Sequence, residues 1–434
     1  MSNTEQEMQT EPSQGQIKKS AFIFCFIVFY MLFMLDFAAR LGITSAFPAM
    51  KQDLGLSDSS IGMAGSVVLL GMTLFVMPCS YLADKFSKKR AINIMSLIWG
   101  AGCALCGMAS HLGFVIAGRF MVGIGNASFA PVSVAMLTSW VPRKLWGTTI
   151  GIYNSAMSLG LALGTTVVGV LVHNFGWRSA FFFIGGLSIL FGILSFFVQE
   201  AKTDNSFPNK IERSVSSKTG NAVTVREAFA YTMKNKTLLL LGSGVGLANM
   251  GYTAMITWIP MYLVRIMGWN AAEVAAYMGP VYLIQGLVVT ALSGVFIDWL
   301  NRKTSPRSRA FLGFPAFLLC GFSYFCGFHY QWIIPLAFGM FLFKIPVTGV
   351  HVATQELVPP RYKSTAYGTY VILLQGIGFF GSLLVGMLSD NFGLQKAVEY
   401  MQFVFVAGAI LMFLGGLTYM QDLQRTVDME NTKV

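Results

Sequence analysis

The sequence predicts an all-α membrane protein of twelve transmembrane helices arranged as two pseudo-symmetric six-helix bundles. Three observations carry that expectation. The 434 residues are 55% hydrophobic and only 11% charged, with a mean hydropathy of +0.62, more apolar surface than a water-soluble globule can hide. Twelve apolar runs are each long enough to cross a bilayer, which takes roughly 20 residues in a helix that satisfies its own backbone polar groups. Finally, a block from Val141 to Gly176 returns 217 residues later at Val358 to Gly393. Val141-Pro142 reappears as Val358-Pro359, Gly151 and Tyr153 as Gly368 and Tyr370, Gly164 as Gly381, Gly169 as Gly386, and Asn174-Phe175-Gly176 as Asn391-Phe392-Gly393.

Along the chain, residues 1–19 are a polar tail, and the run behind them is too long for a signal-peptide core, so it is kept as the first span. The first bundle, 20–198, holds spans over 20–48, 60–82, 91–110, 112–139, 148–172 and 178–198. Composition then turns to Ser, Asn, Thr and Lys, marking a solvated linker over 199–236 whose last part, 225–236, suits a surface amphipathic helix. The second bundle, 237–420, holds spans over 237–264, 272–298, 310–328, 331–356, 364–388 and 396–420, and a tail follows over 421–434. With both termini cytoplasmic, 23 of the 30 Lys and Arg fall in cytoplasmic segments, and only Lys51, Arg178, Arg265 and Lys396 lie on the far side. That asymmetry satisfies the positive-inside rule and explains the net charge of +11 by topology rather than by nucleic-acid binding. The six cysteines all lie in apolar segments, where they act as small hydrophobes; Cys103 and Cys106 have CxxC spacing but no accompanying metal ligands.

Two further echoes point to a mechanism. After the second span the chain reads Ser80-Tyr-Leu-Ala-Asp84-Lys-Phe-Ser87-Lys88-Lys89-Arg90, and after the eighth Gly294-Val-Phe-Ile-Asp298-Trp-Leu-Asn-Arg302-Lys303. Each sets a carboxylate beside a basic cluster at a cytoplasmic helix end, a latch able to lock one bundle against the other; as plain topogenic charges the same residues would be solvated. These segments resemble the loop 2-3 signature of the major facilitator superfamily, with Ser80 and Ser87 where that family prefers Gly. Gly169 to Gly176 and Gly386 to Gly393 resemble the same signature on the opposite face, and Arg119-Phe-Met-Val-Gly123-Ile-Gly125-Asn126-Ala127 is similar to the span-4 motif of the superfamily. The resemblance implies the major facilitator fold and alternating access between two bundles. Within it, Asp36-Phe-Ala-Ala-Arg40, Ala46-Phe-Pro48 and Asp53-Leu54-Gly55-Leu56-Ser57 resemble the anion:cation symporter family. Ala39 stands where that family has an Asp before the Arg, and Asn126 where many members have Glu.

Three cations sit inside apolar runs: Arg40, Arg119 and Lys344. An ionised group near mid-bilayer costs at least ~2.5 to 3.5 kcal/mol on insertion scales, so it is kept for a partner or a task. Asp36 and Arg40, four residues apart, can pair on one helix face; alternatively Arg40 offers its planar donor fork to a carboxylate or phosphate. Lys344 lies half-way along the tenth span with Thr348 and His351 on its face. Three interior cations against Asp36 alone leave a formal excess of two positive charges, which predicts anionic cargo. The expected protein is therefore a secondary transporter of a small organic anion, of carboxylate or sugar-acid type, in the plasma membrane (the inner membrane of a bacterium). Expected binding residues are Arg40, Lys344, Asn126, Tyr153, Tyr252, Tyr282, Gln285, His351 and Tyr370. Asp36 and Arg119 are the expected coupling groups, and Asp84, Lys88, Arg90, Asp298 and Arg302 the gating motif. Tyr153 and Tyr370 are expected to face each other across the pseudo-two-fold, and Gly151, Gly160, Gly164, Gly368, Gly376 and Gly381 to permit close helix contacts. Protons or sodium are the expected coupling partners beside membrane lipids, and a monomer contains both halves. No metal or other cofactor is expected, and no enzyme: the sequence has no HExxH and no nucleophile constellation. The competing assignments are an exporter of an amphiphile, metabolite or siderophore, and a non-transporting receptor or sensor.

Overall fold

The computed structural model describes residues 19–198 and 232–431, apart from residues 86, 143, 144, 306 and 360–362. The tail over 1–19 and the linker over 199–236, with its amphipathic stretch, lie almost wholly outside the described residues. Twelve helices are long and apolar enough to cross a membrane. They are α1 (Ala21–Leu54), α2 (Asp58–Ala83), α3 (Lys88–Gly107), α4 (Leu112–Thr138), α5 (Trp146–Phe175) and α6 (Trp177–Phe197), then α7 (Lys236–Arg265), α8 (Ala271–Lys303), α9 (Ser308–His329), α10 (Ile333–Thr354), α11 (Ala366–Phe392) and α12 (Leu394–Thr426). Side chains such as Ile334, Phe403 and Phe197 are 70% or more exposed, an apolar exterior suited to lipid.

The internal repeat is a repeat in three dimensions. Asn174 Nδ2 donates to the Val170 carbonyl at 2.9 Å, and Asn391 Nδ2, 217 residues on, donates to Met387 at 2.8 Å. The glycines that follow, Gly176 and Gly393, both take left-handed φ values, 81° and 82°, so each Asn-Phe-Gly ends one helix and turns the chain into the next. Gly164 lies against Ala38 of α1 and Gly381 against the Met250 carbonyl of α7, so repeat-related glycines serve the corresponding helix pair in each bundle.

Between the bundles the seam is pseudo-symmetric as well. Helix α2 packs along α11, and α5 along α8. Small residues make these approaches possible: Gly62 and Gly65 against Ser382, Gly169 against Ala275, Gly279 against Thr166 and Gly286 against Ser158. Gly160 abuts the Met34 carbonyl, but Gly151, Gly368 and Gly376 have open space where a Cβ would go, which corrects the expectation that all six glycines mediate close contacts. Gly160→Val and Gly381→Val are therefore expected to lower stability by about 1–3 kcal/mol through overpacking. Gly151→Ala and Gly368→Ala should leave it unchanged or slightly raised, because Ala is the better helix former. Thermal denaturation of the purified variants distinguishes the two sets.

Several helices depart from regularity where the chain was expected to run straight through. Helix α1 is α-helical to Arg40, passes through a 3-10 turn over Gly42–Ala46, and resumes over Phe47–Leu54. Helix α4 breaks between Asn126 and Phe129. A π-helical segment over Ile284–Val289 interrupts α8, a distortion often associated with function.

The face opposite the termini is closed by a carboxylate cluster. Asp58 is buried and accepts two bonds from Arg265 Nη1 at 2.7 and 2.9 Å, one from Ser389 at 2.5 Å, and an ion pair from Lys51. Asp390 of α11 reaches across the seam to the start of α2, accepting from the backbone N–H of Asp58 at 2.9 Å and of Ser59 at 2.8 Å. The first N–H groups of a helix have no partners within it and carry the positive end of its dipole, so one bundle caps a helix of the other. On the terminal face lie the residues of the expected latch. Asp298, Arg302 and Arg90 are exposed, and among the described residues none of these, nor Lys88, forms an ion pair; the side chain of Asp84 lies outside the described set. Among the described residues the bonds that cross the seam at the other end join Asp390, in the Gly386-to-Gly393 segment, to the start of α2, and Arg265 to Asp58.

Candidate functional site: cationic groups at the bundle junction

Arg119 and Arg40 are adjacent in space and opposite in circumstance. Arg119 is 1% exposed and spends all three guanidinium nitrogens on carbonyls: Nε on Ala64 at 3.0 Å, Nη1 on Ala39 at 2.9 Å and Nη2 on Arg40 at 2.9 Å. The Ala39 and Arg40 carbonyls are orphaned because the regular helix of α1 ends there, and a buried cation also suits the negative end of a helix. Arg119 therefore holds the break in α1 and turns no nitrogen toward a pathway. Those three bonds give Arg119 a structural part at the break in α1 beside its expected place among the coupling groups.

The ion pair that the Asp36–Arg40 spacing allows is not formed. Arg40 Nη1 instead approaches Met72 Sδ at 3.1 Å, its guanidinium lies 4.2 Å from the Phe37 ring centroid, and its Nε has no protein partner. Both residues lie within the regular helix, and the Arg40 guanidinium is turned toward Met72 and the Phe37 ring. Asp36, 3% exposed, likewise keeps one carboxylate oxygen without a partner. The cavity beside Arg40 is built from both bundles: Thr44, Ser66 and Leu69 from one, Thr253, Thr257, Gly378 and Ser382 from the other. Arg40 thus stands at the junction, in a ring of hydroxyls.

Lys344 lies across that junction in α10. The back of α10 packs on α9, while Thr348, one turn below Lys344, bonds Ser293 of α8 at 3.1 Å, and His351 packs edge-on to Tyr370 of α11 at 5.0 Å. The Lys344 face therefore looks between α8 and α11. The neighbouring Phe343 stacks on Tyr252 at 4.2 Å, and Tyr252 adjoins Thr253 of the Arg40 cavity, so the two cations stand at similar depths. Among the described residues the Lys344 amine has no hydrogen-bond or ion-pair partner. Glu356, further along α10, is engaged by Arg309 and Tyr419.

The remaining expected binding residues divide. Tyr252 donates to Gln285 Oε1 at 2.9 Å, and Gln285 donates on to the Met340 carbonyl at 2.5 Å, a network that braces α7, α8 and α10. Tyr282 is buried. Tyr153 and Tyr370 do not face each other: Tyr153 stacks on Phe33 at 4.6 Å and shares a 2.5 Å bond with Ser133 inside its own bundle. Asn126, 4% exposed at the break in α4, has no partner for either amide atom. The lock formed by Asp58, Asp390 and Arg265 was not anticipated; the Gly386-x-x-x-Asp390-x-x-Gly393 echo of the latch motif was the signal for it.

The sequence profile of the Major Facilitator Superfamily matches residues 22–382. The chain belongs to that superfamily. Among superfamily relatives, the probable sulfoacetate transporter SauU of Cupriavidus necator is 26% identical over 280 residues, covering 64% of this chain and 65% of that protein. The probable galactarate/D-glucarate transporter GudP of Escherichia coli is 26% identical over 298 residues, covering 64% and 66%. The match thus spans a little under two thirds of the length of these two relatives. The 4-hydroxybenzoate transporter PcaK of Acinetobacter baylyi is 26% identical over 424 residues, with 90% of each protein covered. Of solved structures, a bacterial homologue of the human lysosomal transporter Spinster, inward-facing and unoccupied, superposes with a TM-score of 0.75 at 18% identity, covering 95% of this chain and 99% of that one. A D-xylose-proton symporter gives 0.70 at 16% identity, covering 90% and 97%. At those identities the likeness shows the major facilitator fold alone. The superfamily and these relatives are transporters, not enzymes.

Proposed function

We propose that this protein is a secondary active transporter that carries a small organic anion, of carboxylate or sugar-acid type, across the membrane by alternating access. One observation carries the proposal: Arg40, at the junction of the bundles, has no carboxylate partner, and Lys344 stands without one on the facing bundle. Two cations with a single nearby carboxylate, Asp36, leave positive charge for an anion to compensate, and a planar guanidinium matches a carboxylate in two bonds. The names of the relatives, carriers of sulfoacetate, glucarate and 4-hydroxybenzoate, support the same cargo class. The positive-inside asymmetry supports cytoplasmic termini in a bacterial inner membrane, which makes the Asp58–Asp390 lock an outer gate and the described state open toward the cytoplasm. Asp36 is the proposed proton carrier, releasing its proton as Arg40 changes partner.

Uptake of labelled sulfoacetate, D-glucarate and 4-hydroxybenzoate into proteoliposomes tests the proposal. At least one acid should enter faster than into protein-free vesicles, and an inside-alkaline pH gradient should drive its accumulation. Asp36→Asn should keep exchange of labelled for unlabelled acid but lose accumulation driven by the pH gradient. If Asp36→Asn accumulates the acid as wild type does, the proton is carried elsewhere.

A further inference from the structure

The two bundles differ most where the repeat leads one to expect likeness. Carrying the offset of 217 back along the preceding helix pairs Ala127 with Lys344, Ser133 with Val350 and Val134 with His351, and the repeat itself pairs Ile150 with Tyr367 and Tyr153 with Tyr370. In the first bundle the Tyr153 hydroxyl is tied to Ser133 and its ring is sealed against Phe33. In the second, Val350 offers no hydroxyl, and Tyr370 is left 3% exposed with no protein partner for its Oη. Three apolar positions have at the same time become an amine, an imidazole and a phenol.

These side chains form one group. The His351 ring lies 5.0 Å from Tyr370, nearly perpendicular at 84°, and 5.9 Å from Tyr367; the two tyrosine rings are 6.1 Å apart. Tyr367 is 42% exposed, so an aromatic face is open at the edge of the cluster. Lys344 and His351 are seven residues apart on one face of α10, which is ~10 Å along the axis. A cationic head at one end and, about two helical turns away, a cluster of aromatic faces carrying hydrogen-bonding groups match a rigid six-membered ring bearing a carboxylate on one side and a hydroxyl on the opposite side. A flexible acyclic acid would use the cation but neither the ring faces nor the fixed distance, and would lose more conformational freedom on binding.

We propose that Lys344, His351, Tyr367 and Tyr370 form a subsite in the second bundle that selects a cyclic hydroxy acid, the ring lying against the tyrosines and its far hydroxyl bonding Tyr370 Oη. The proposal rests on the anion-transport function proposed above and narrows its cargo. An aromatic ring and a pyranose ring share this chemistry, since the first offers a flat π face and the second an apolar patch of C–H groups to the tyrosine rings, each with polar groups at opposite ends.

The test is equilibrium binding to the purified full-length protein of 4-hydroxybenzoate, cyclic D-glucuronate and acyclic D-glucarate, with wild type, Tyr370→Phe and Arg40→Ala compared. At least one ring acid should bind ten times or more tighter than glucarate, and which one identifies the ring class. Tyr370→Phe should weaken that ring acid about tenfold, the loss of one hydrogen bond, without changing the affinity for glucarate or the melting temperature of the unliganded protein. Equal or tighter binding of glucarate, unchanged ring-acid affinity in Tyr370→Phe, or no binding of either ring acid would overturn the subsite. Arg40-dependent binding of glucarate alone would leave the anion-transport function standing, whereas no Arg40-dependent binding of any of the three would remove both.

Discussion

Arg119→Ala is expected to destabilise the protein by at least ~3 kcal/mol, and Arg119→Lys by nearly as much. Hydrogen bonds from a charged group are worth about 1.5–3 kcal/mol each, and Arg119 makes three, to Ala64, Ala39 and Arg40. Truncation leaves three carbonyls without donors inside the membrane, where no water replaces them. Lysine retains the charge but is a point donor on a flexible stem, and it does not span carbonyls on two helices as the planar fork does. The effect should appear as a lowered melting temperature and reduced yield of folded protein whether or not a substrate is present. A stable Arg119→Ala protein with normal transport would show that the break in α1 holds without it.

Arg40→Ala is the counterpart, with the opposite signature. Removing a buried cation that no carboxylate pairs should leave the melting temperature of the unliganded protein unchanged or raise it, because the cost of burying that charge disappears. Affinity for the transported acid should fall at least ~100-fold, since truncating one partner of a close charge pair costs about 2–5 kcal/mol. Arg40→Lys should recover part of that loss, as it keeps the charge without the two-bond geometry. Binding titrations beside melting curves of the two arginine variants thus separate an architectural from a ligand-facing guanidinium. Only 79 residues of sequence and a shared turn of helix separate these two groups.

How much of this could be read from the sequence depends on what each feature needs. Twelve spans and their pairing into halves depend on local hydrophobicity and on a repeat of fixed offset, and Asn174 and Asn391 keep that offset down to the same hydrogen bond. The break in α1 was not legible. The run from Ala21 onward is continuously apolar, and the interruption after Arg40 is sustained by donors supplied from Arg119 on another helix. The Asp36–Arg40 pair, which the helical spacing allows, does not form because the Arg40 guanidinium is taken up by Met72 and Phe37, contacts that spacing along one helix does not reveal. The lock was hidden because its parts, Asp58, Arg265 and Asp390, come from three helices, and only Asp390 sits in a recognisable motif. The sequence did place Arg40 and Lys344 as the cations to explain, and the structure puts both on faces that look toward the junction. What it could not show was that Arg119, equally charged, has a carbonyl on each of its three nitrogens.

The central claim is that Arg40 and Lys344 give the junction between the bundles a positive interior that an anion enters. The most direct measurement is the modification rate of a cysteine placed at Thr348, one turn from Lys344, in a reconstituted background lacking the native cysteines. Rates are compared for negatively and positively charged methanethiosulfonate reagents of similar size. A positive cleft concentrates anions, so the anionic reagent should react at least ~10-fold faster, and the preference should vanish when Arg40 and Lys344 are both replaced by Ala. Reaction with neither reagent, as for a residue facing lipid, or equal rates with both, would contradict the account.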